Sequence, residues 1–408
     1  MTTTHALPDL DAVRAAFPAL EADTVFLENA GGSQVPGVVA DAVRDYMRST
    51  YVQLGADYAL SEKATAVVDR AHDFVRLLMG GEGVGEVVLG ASSSALCRML
   101  ADAYLPTIRP GDEIVVAEAG HEANIGPWLR LEAAGATIRW WRVDPETGHT
   151  SLDTLSGVLN ERTRIVAFPH VSNLLGEITD VEAVTRMAHA VGARVVVDGV
   201  AYAPHRAMDV RAWGVDYYTY SIYKVYGPHM GAMFGRPEAW AEVEGPNHFF
   251  VPKGEVPYKF ELGGVSHEGA AGLLASAGYL AFLAGEREAT RDASLRAFTR
   301  MEAWERPLQE QLVGWVREHP ALRIVGPDHA GEGRVATVSF LHRSKTSREV
   351  SLAANAAGFG IRHGHMYAHR LCTAMGIDPE DGVVRVSAVH YNTPAEIERL
   401  IEVLEPAL

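Results

Sequence analysis

The chain has 408 residues, enough for two domains with well-buried cores, and 48% of them are hydrophobic against 22% charged. Its formal net charge is −16, from 36 basic and 52 acidic residues, which argues against a nucleic-acid partner and against adsorption to anionic membranes. No run approaches the roughly 18 apolar residues of a membrane span, and the opening MTTTHALPDLDAVRAAF lacks the basic-then-apolar pattern of a signal peptide. With only two cysteines, Cys97 and Cys372, neither a disulfide framework nor a four-thiolate zinc site is possible, and a reducing cytoplasm is the expected compartment.

Taken in chain order, residues 1–35 are expected to pack against a small C-terminal domain. From 86 to 235 short β-rich runs alternate with helical segments. The strand candidates are 86–89, 113–118, 137–143, 164–168, 194–198, 216–221 and 231–235, with helices over 96–105 and 180–193. Continuous apolar strands separated by amphipathic helices predict a mostly parallel seven-stranded sheet covered on both faces, in a large domain spanning 36–284. Residues 236–268 are Pro- and Gly-rich but carry aromatics throughout, which predicts an ordered excursion. A long helix near 294–317 follows, then strands in RVATVSFLH and GVVRVSAV and helices in REVSLAANAAG and PAEIERLIEVL. These predict a smaller α+β domain over 285–408.

Ligands in such sheets bind at the carboxyl ends of the strands. Asp198 closes the apolar run VVVD, where an ionised carboxylate needs a partner. A helix N-cap or a structural ion pair would serve. So would the protonated ring nitrogen of pyridoxal 5′-phosphate (PLP). Lys224 follows the next strand, flanked by Ser221, Tyr223 and Tyr226. A lysine after a strand is by default a surface residue, but aromatic, partly desolvated surroundings lower an amine pKa and free it for a Schiff base. Lys224 lies 26 residues after Asp198, one β-unit on, so neighbouring strand ends can present both.

In LGASSSALCRML a strand runs into a helix, and Ser93 and Ser94 there suit either an anion or simple capping. No G-x-G-x-x-G follows a strand and no G-x4-G-K-[ST] occurs, so dinucleotide and Walker-type sites lack support. His121 in AGHEANIGPW is placed to lie over a planar ring or to be structural, and Asn173 in FPHVSNLLGEI to donate to a ring oxygen. Arg385 sits inside an apolar strand, where a substrate carboxylate or a structural Asp or Glu would balance it. His363, His365 and His369 lack a neighbouring carboxylate pattern, so no metal is expected. Cys97 falls on a buried helix face as core packing.

Together these residues resemble the class V aminotransferase family of fold-type-I PLP-dependent enzymes, in its cysteine desulfurase-like branch. The similarity runs from FLENAGGSQVP (26–36) to VRVSAVHYNTPAEI (384–397), and HVSNLLGEI, the D-x-x-x-x-x-P-H run at Asp198, S-x-Y-K-x-x-G-P-H and R-V-x-x-x-x-Y-N-T are specific in combination. The resemblance implies the α/β fold-type-I transferase architecture, with PLP as cofactor and Lys224 as its Schiff-base lysine. It implies Asp198 on the pyridine nitrogen, His121 stacked on the ring and Asn173 near the phenolic oxygen. Ser93, Ser94 and Ser221 would hold the phosphate, and Arg385, with Asn29 and His365, would bind a small amino-acid substrate. It further implies a homodimer with a shared active site, in which FELGGVSHEG, with Gly264, reaches the partner's phosphate.

The departures bear on the reaction. A desulfurase carries a mobile cysteine in a loop resembling R-x-G-H-H-C-A. Here IRHGHMYAHRL has Tyr367 at that place and Cys372 five residues on, in a predicted helix. Tyr223 precedes the lysine where desulfurases usually carry histidine, and Ala201 replaces a usual polar residue. A persulfide-forming desulfurase is therefore not expected. The favoured outcome is β-elimination from a sulfur-bearing or other β-substituted amino acid, a lyase reaction with Tyr367, Tyr223 or His365 as second acid. Epimerisation or racemisation and transamination share the first proton transfer and remain alternatives. So do a PLP-binding protein without catalysis and a non-PLP α/β enzyme.

Overall fold

The computed structural model describes residues 7–408. The first six residues of the N-terminal segment lie outside that range, and the packing expected of them with it.

Thirteen strands form three sheets among the described residues. The large sheet holds β2 (Glu86–Gly90), β3 (Glu113–Ala117), β4 (Thr137–Trp141), β5 (Thr163–Pro169), β6 (Arg194–Asp198), β7 (Tyr217–Ser221) and β8 (Gly231–Gly235). Their order is β2-β8-β7-β6-β5-β3-β4, and only β8 runs antiparallel to its neighbours. All seven strands expected from the sequence are present. Their apolar runs follow from burial on both faces: Val195 and Val197 enter one core layer while Val196, between them, enters the other.

One face is covered by the helices Ala59–Leu78, Val181–Ala190 and His267–Ala284, the other by Ser93–Tyr104 and the segment around Trp128. Helix Arg291–Glu318 leads to the second sheet. That sheet is antiparallel, in the order β12 (Arg362–Gly364), β13 (Val383–Ser387), β10 (Thr337–His342), β9 (Leu322–Val325). Helices Ser347–Ala356 and Pro394–Leu404 pack on it around Val338, Phe340, Val384 and Val386. Both helices open with a capping box, at Thr346/Glu349 and Thr393/Glu396, which fixes their first turns.

The N-terminal segment touches both sheets' layers. Val13 and Phe17 belong to the large core, with Phe17 edge-on to Tyr226 and Tyr279. β1 (Val25–Phe26) pairs in parallel with β11 (Phe359–Gly360) beside the small sheet. Within 236–268 the aromatics divide: Trp240 and Phe260 are buried, whereas Phe249 and Phe250 stand out in the open. No described helix is long and apolar enough to cross a membrane.

Candidate active site

The carboxyl edge of the parallel strands gathers the polar residues. Asp198 ends β6, Ser221 ends the adjacent β7, and Lys224 sits in the single turn Ile222–Lys224 that follows. β5 leads to Asn173, β3 to His121, and β2 into Ser92, whose hydroxyl caps Ser93–Tyr104 by accepting from Ala95 N–H. From the small sheet comes Arg385, in the middle of β13.

These residues line two hollows that share His121, Asn173, Tyr223 and Lys224. The outer one, about 550 Å³, is also walled by Ala30, Arg362, His365, Tyr367 and Arg385. The inner one, about 50 Å³, is walled by Ser93, Ser94, Asp198, Ala201 and Ser221. A larger groove of about 820 Å³ lies at the opposite, amino edge of the strands. At its centre Asp216 is already paired, accepting from Arg194 at 2.7 Å and lying 2.8 Å from His189. Chemistry, not size, therefore selects the carboxyl edge.

Lys224 is buried, and its ammonium donates to the Ala30 carbonyl at 2.6 Å. Burial, helped by the nearby Arg385 charge, lowers its pKa to about 8, against the opposing pull of Asp198 and Glu28. Asp198 accepts from Val200 N–H at 2.9 Å, and burial raises its pKa despite that bond and Lys224. His121 Nδ1 accepts from Ala123 N–H at 3.0 Å, which leaves the ring proton on Nε2. Burial, with Lys224 and Arg385, pushes its pKa down to about 4, so the imidazole is neutral at physiological pH. Ser93 and Ser221 hydroxyls meet at 2.8 Å at the N-terminus of the helix Ser93–Tyr104, a cup of donors for an anion.

Arg385 donates one N–H to the Asn173 carbonyl at 3.1 Å, but its buried Nε has no partner. Burial lowers its pKa only to about 10, so the charge remains. Asn173 gives one N–H to the Met366 carbonyl at 2.8 Å and leaves its buried Oδ1 unpaired. Both residues line the outer hollow, where a bound ligand would satisfy these atoms. The set fits PLP: a carboxylate for a protonated ring nitrogen, an amine of lowered pKa, a neutral imidazole, and hydroxyls at a helix terminus for a phosphate.

Two expected residues stand elsewhere. Asn29 does not line the cavity, because its carboxamide is consumed internally: it donates to Ser387 O and Asn392 Oδ1 at 2.8 and 3.1 Å and accepts from the Tyr391 hydroxyl. The neighbouring Ala30 is held by its own N–H, which donates to the Ser387 hydroxyl at 2.8 Å. Gly264 lines a separate hollow with His229, Phe260 and Leu262. Tyr223 stacks on His229 at 4.4 Å, and Tyr367 lies 5.1 Å from the His121 ring. Cys372 is fully buried in the helix His369–Ala374, and Cys97 is buried in Ser93–Tyr104. Four residues on or beside the cavity wall are not singled out by the sequence: Ala30, Arg362, Glu122 and its partner Arg370.

A buried lysine, an aspartate and a cup of donors at one edge of the sheet give this α/β chain the site of a cofactor-binding protein. More particularly, the family model "Aminotransferase class-V" matches residues 25–400, and the chain belongs to that family. It is 38% identical over 416 residues to the aminotransferase-like protein FGM3 of Gibberella zeae, covering 98% of each. It is 32% identical over 436 residues to a probable cysteine desulfurase of Streptomyces coelicolor, covering 99% of this chain and 98% of the relative. Among solved structures, the cysteine desulfurase CsdA of Escherichia coli superposes with a TM-score of 0.83 at 25% identity, covering 98% and 99% of the two chains. A cysteine desulfurase of Thermococcus onnurineus gives 0.87 at 24% identity, covering 100% and 99%, a likeness of fold. The fold is thus the fold-type-I arrangement, and the cofactor is pyridoxal 5′-phosphate.

Proposed function

We propose that the chain is a PLP-dependent lyase that removes a β-substituent, sulfur-borne or otherwise a good leaving group, from a small amino acid. What carries this reading is one cavity that joins the amine of Lys224 to an incompletely paired Arg385, with both cysteines buried outside it. A sulfur-relaying thiolate needs access and a low pKa. Burial instead raises the Cys372 thiol to about 11, which disfavours a persulfide route.

Lys224, Asp198, His121, Asn173, Ser93, Ser94 and Ser221 are the residues that would hold the cofactor. Bound PLP supplies an electron sink for the pair left at the substrate's α-carbon. Arg385 would orient the substrate carboxylate through its fork of N–H donors. Lys224, with its pKa lowered to about 8, would take the α-proton. Asp198 would keep the ring nitrogen protonated by charge pairing. Tyr367, Tyr223 or His365, all on the cavity wall, would protonate the departing group. The presence of these further proton carriers favours epimerisation as the second reading. A homodimer is part of the proposal: exposed Phe249 and Phe250 supply apolar area for a contact, with Gly264 toward the partner's phosphate cup.

The test is an absorption spectrum of the purified protein with a panel of amino acids, followed by product analysis. Pyruvate from a β-substituted substrate supports the lyase. An inverted enantiomer, or a keto acid retaining the whole side chain, replaces it with the isomerase or the transaminase. A cofactor band that no amino acid perturbs indicates a binding protein. Lys224→Ala, which should lose the band with the fold intact, is the control.

A further inference from the structure

The loop that carries Tyr367 is fastened to its surroundings at three points. Glu122, next to His121, receives the Arg370 guanidinium in two bonds, Nε to Oε2 at 3.0 Å and Nη2 to Oε1 at 3.2 Å. The Glu122 N–H donates to the Tyr367 carbonyl at 2.8 Å, and the Asn173 carboxamide donates to the Met366 carbonyl at 2.8 Å. Arg370 is held from its other side by Trp140, whose ring centre lies 5.3 Å away.

The fastening acts on a strained backbone. Met366 and Tyr367 have φ of 46° and 62°, the left-handed region that disfavours any residue with a Cβ. Such a conformation persists only where neighbours over-determine it. Its result is the Tyr367 ring set 5.1 Å from His121. The Glu122–Arg370 pair is more than a third exposed on both sides, so its weight in global stability is small and its effect falls on local geometry.

We infer that Glu122 and Arg370 are positioning residues: their bidentate pair locks the Tyr367 loop to the His121 loop and makes Tyr367 a fixed wall of the cavity. A loop that ferries sulfur must travel, and this one is tied down. The inference rests on the reading that the Lys224 cavity is the active site, and the experiment separates the two.

The cofactor-loaded full chain is compared with Glu122→Gln, Arg370→Met, the double variant and Arg370→Lys. Hydrogen exchange is followed at Tyr367 and Ala368, whose N–H groups both bond inward to His365. Each single variant should speed that exchange and lower kcat by roughly fivefold with little change in KM. The double variant should lose no more than either single, and Arg370→Lys should recover part of the loss. Unchanged exchange in Arg370→Met, or a double-variant loss equal to the product of the singles, overturns the inference. Faster exchange in the variants of a protein that turns over no amino acid supports the latch and removes the lyase reading.

Discussion

At the scale of single residues, Lys224 governs when the protein can take up its cofactor. An amine attacks a carbonyl only when unprotonated, and burial together with Arg385 brings its pKa from 10.5 to about 8. Cofactor capture by the cofactor-free chain should therefore speed up as pH rises through about 8 and level off above it. Arg385→Gln removes a positive neighbour and should move that midpoint upward. Following the bound-cofactor absorbance against pH checks both, and a rate still climbing beyond pH 10 would mean an unperturbed amine. Tyr367→Phe should lower kcat on the order of a hundredfold, the usual weight of a general acid, while cofactor affinity stays put. An unchanged turnover number would take the hydroxyl out of the chemistry. Asp198 and Lys224 were legible in the sequence because one closes an apolar strand and the other follows the next strand by a single turn. The Ala30 carbonyl was not, since every residue carries one, and Glu122–Arg370 was hidden by 248 residues of separation. That the Asn29 carboxamide is spent on Ser387, Asn392 and Tyr391 could not be read in advance, since those partners lie more than 350 residues away.

Among the elements, strands were easier to read than helices. β6 and β8 match their apolar runs residue for residue, because burial on both faces leaves no room for polar positions. The helix His267–Ala284 escaped notice for a related reason. It packs against Gly37–Ser49, Ala59–Leu78 and Arg291–Glu318, so its glycines, alanines and leucines show little amphipathic period. One glycine ties an element to the site. A Cβ on Gly231 of β8 would meet the Ser92 carbonyl carbon and Ser93 nitrogen at 2.3 Å, both backbone. Gly231→Ala should push the serine turn out of place, costing about 1–3 kcal/mol of stability and weakening cofactor binding. Thermal unfolding and cofactor titration measure the two effects, and unaltered binding would show that the cup tolerates the displacement.

For the molecule as a whole, Arg385 of the small sheet bonds to Asn173 beyond β5 of the large one, so the cavity is a seam between two sheets. We propose a domain boundary near residue 285, with the first turns of helix Arg291–Glu318, through Ala293, Ala297 and Phe298, still packed in the large core. The proposed homodimer predicts a sedimentation mass twice that of the 44.1 kDa chain. A single-chain mass at working concentration would withdraw the shared site. Cys372→Ser should leave turnover within twofold if the helix-buried thiol plays no part in sulfur transfer, and an inactive variant with intact fold would restore the desulfurase.

The backbone around Ala30 also dictates an order of events during synthesis. Residues 25–30, which supply the carbonyl facing Lys224, are held by Phe359, Gly360 and Ser387, more than three hundred residues downstream. A ribosome delivers the first partner long before the last. The large sheet can assemble on the emerging chain, but the carbonyl that steadies the lysine is set only after β13 has left the exit tunnel. The Ala30 carbonyl therefore takes its place beside Lys224 late in synthesis, and a nascent chain arrested before residue 359 should hold its lysine without that anchor.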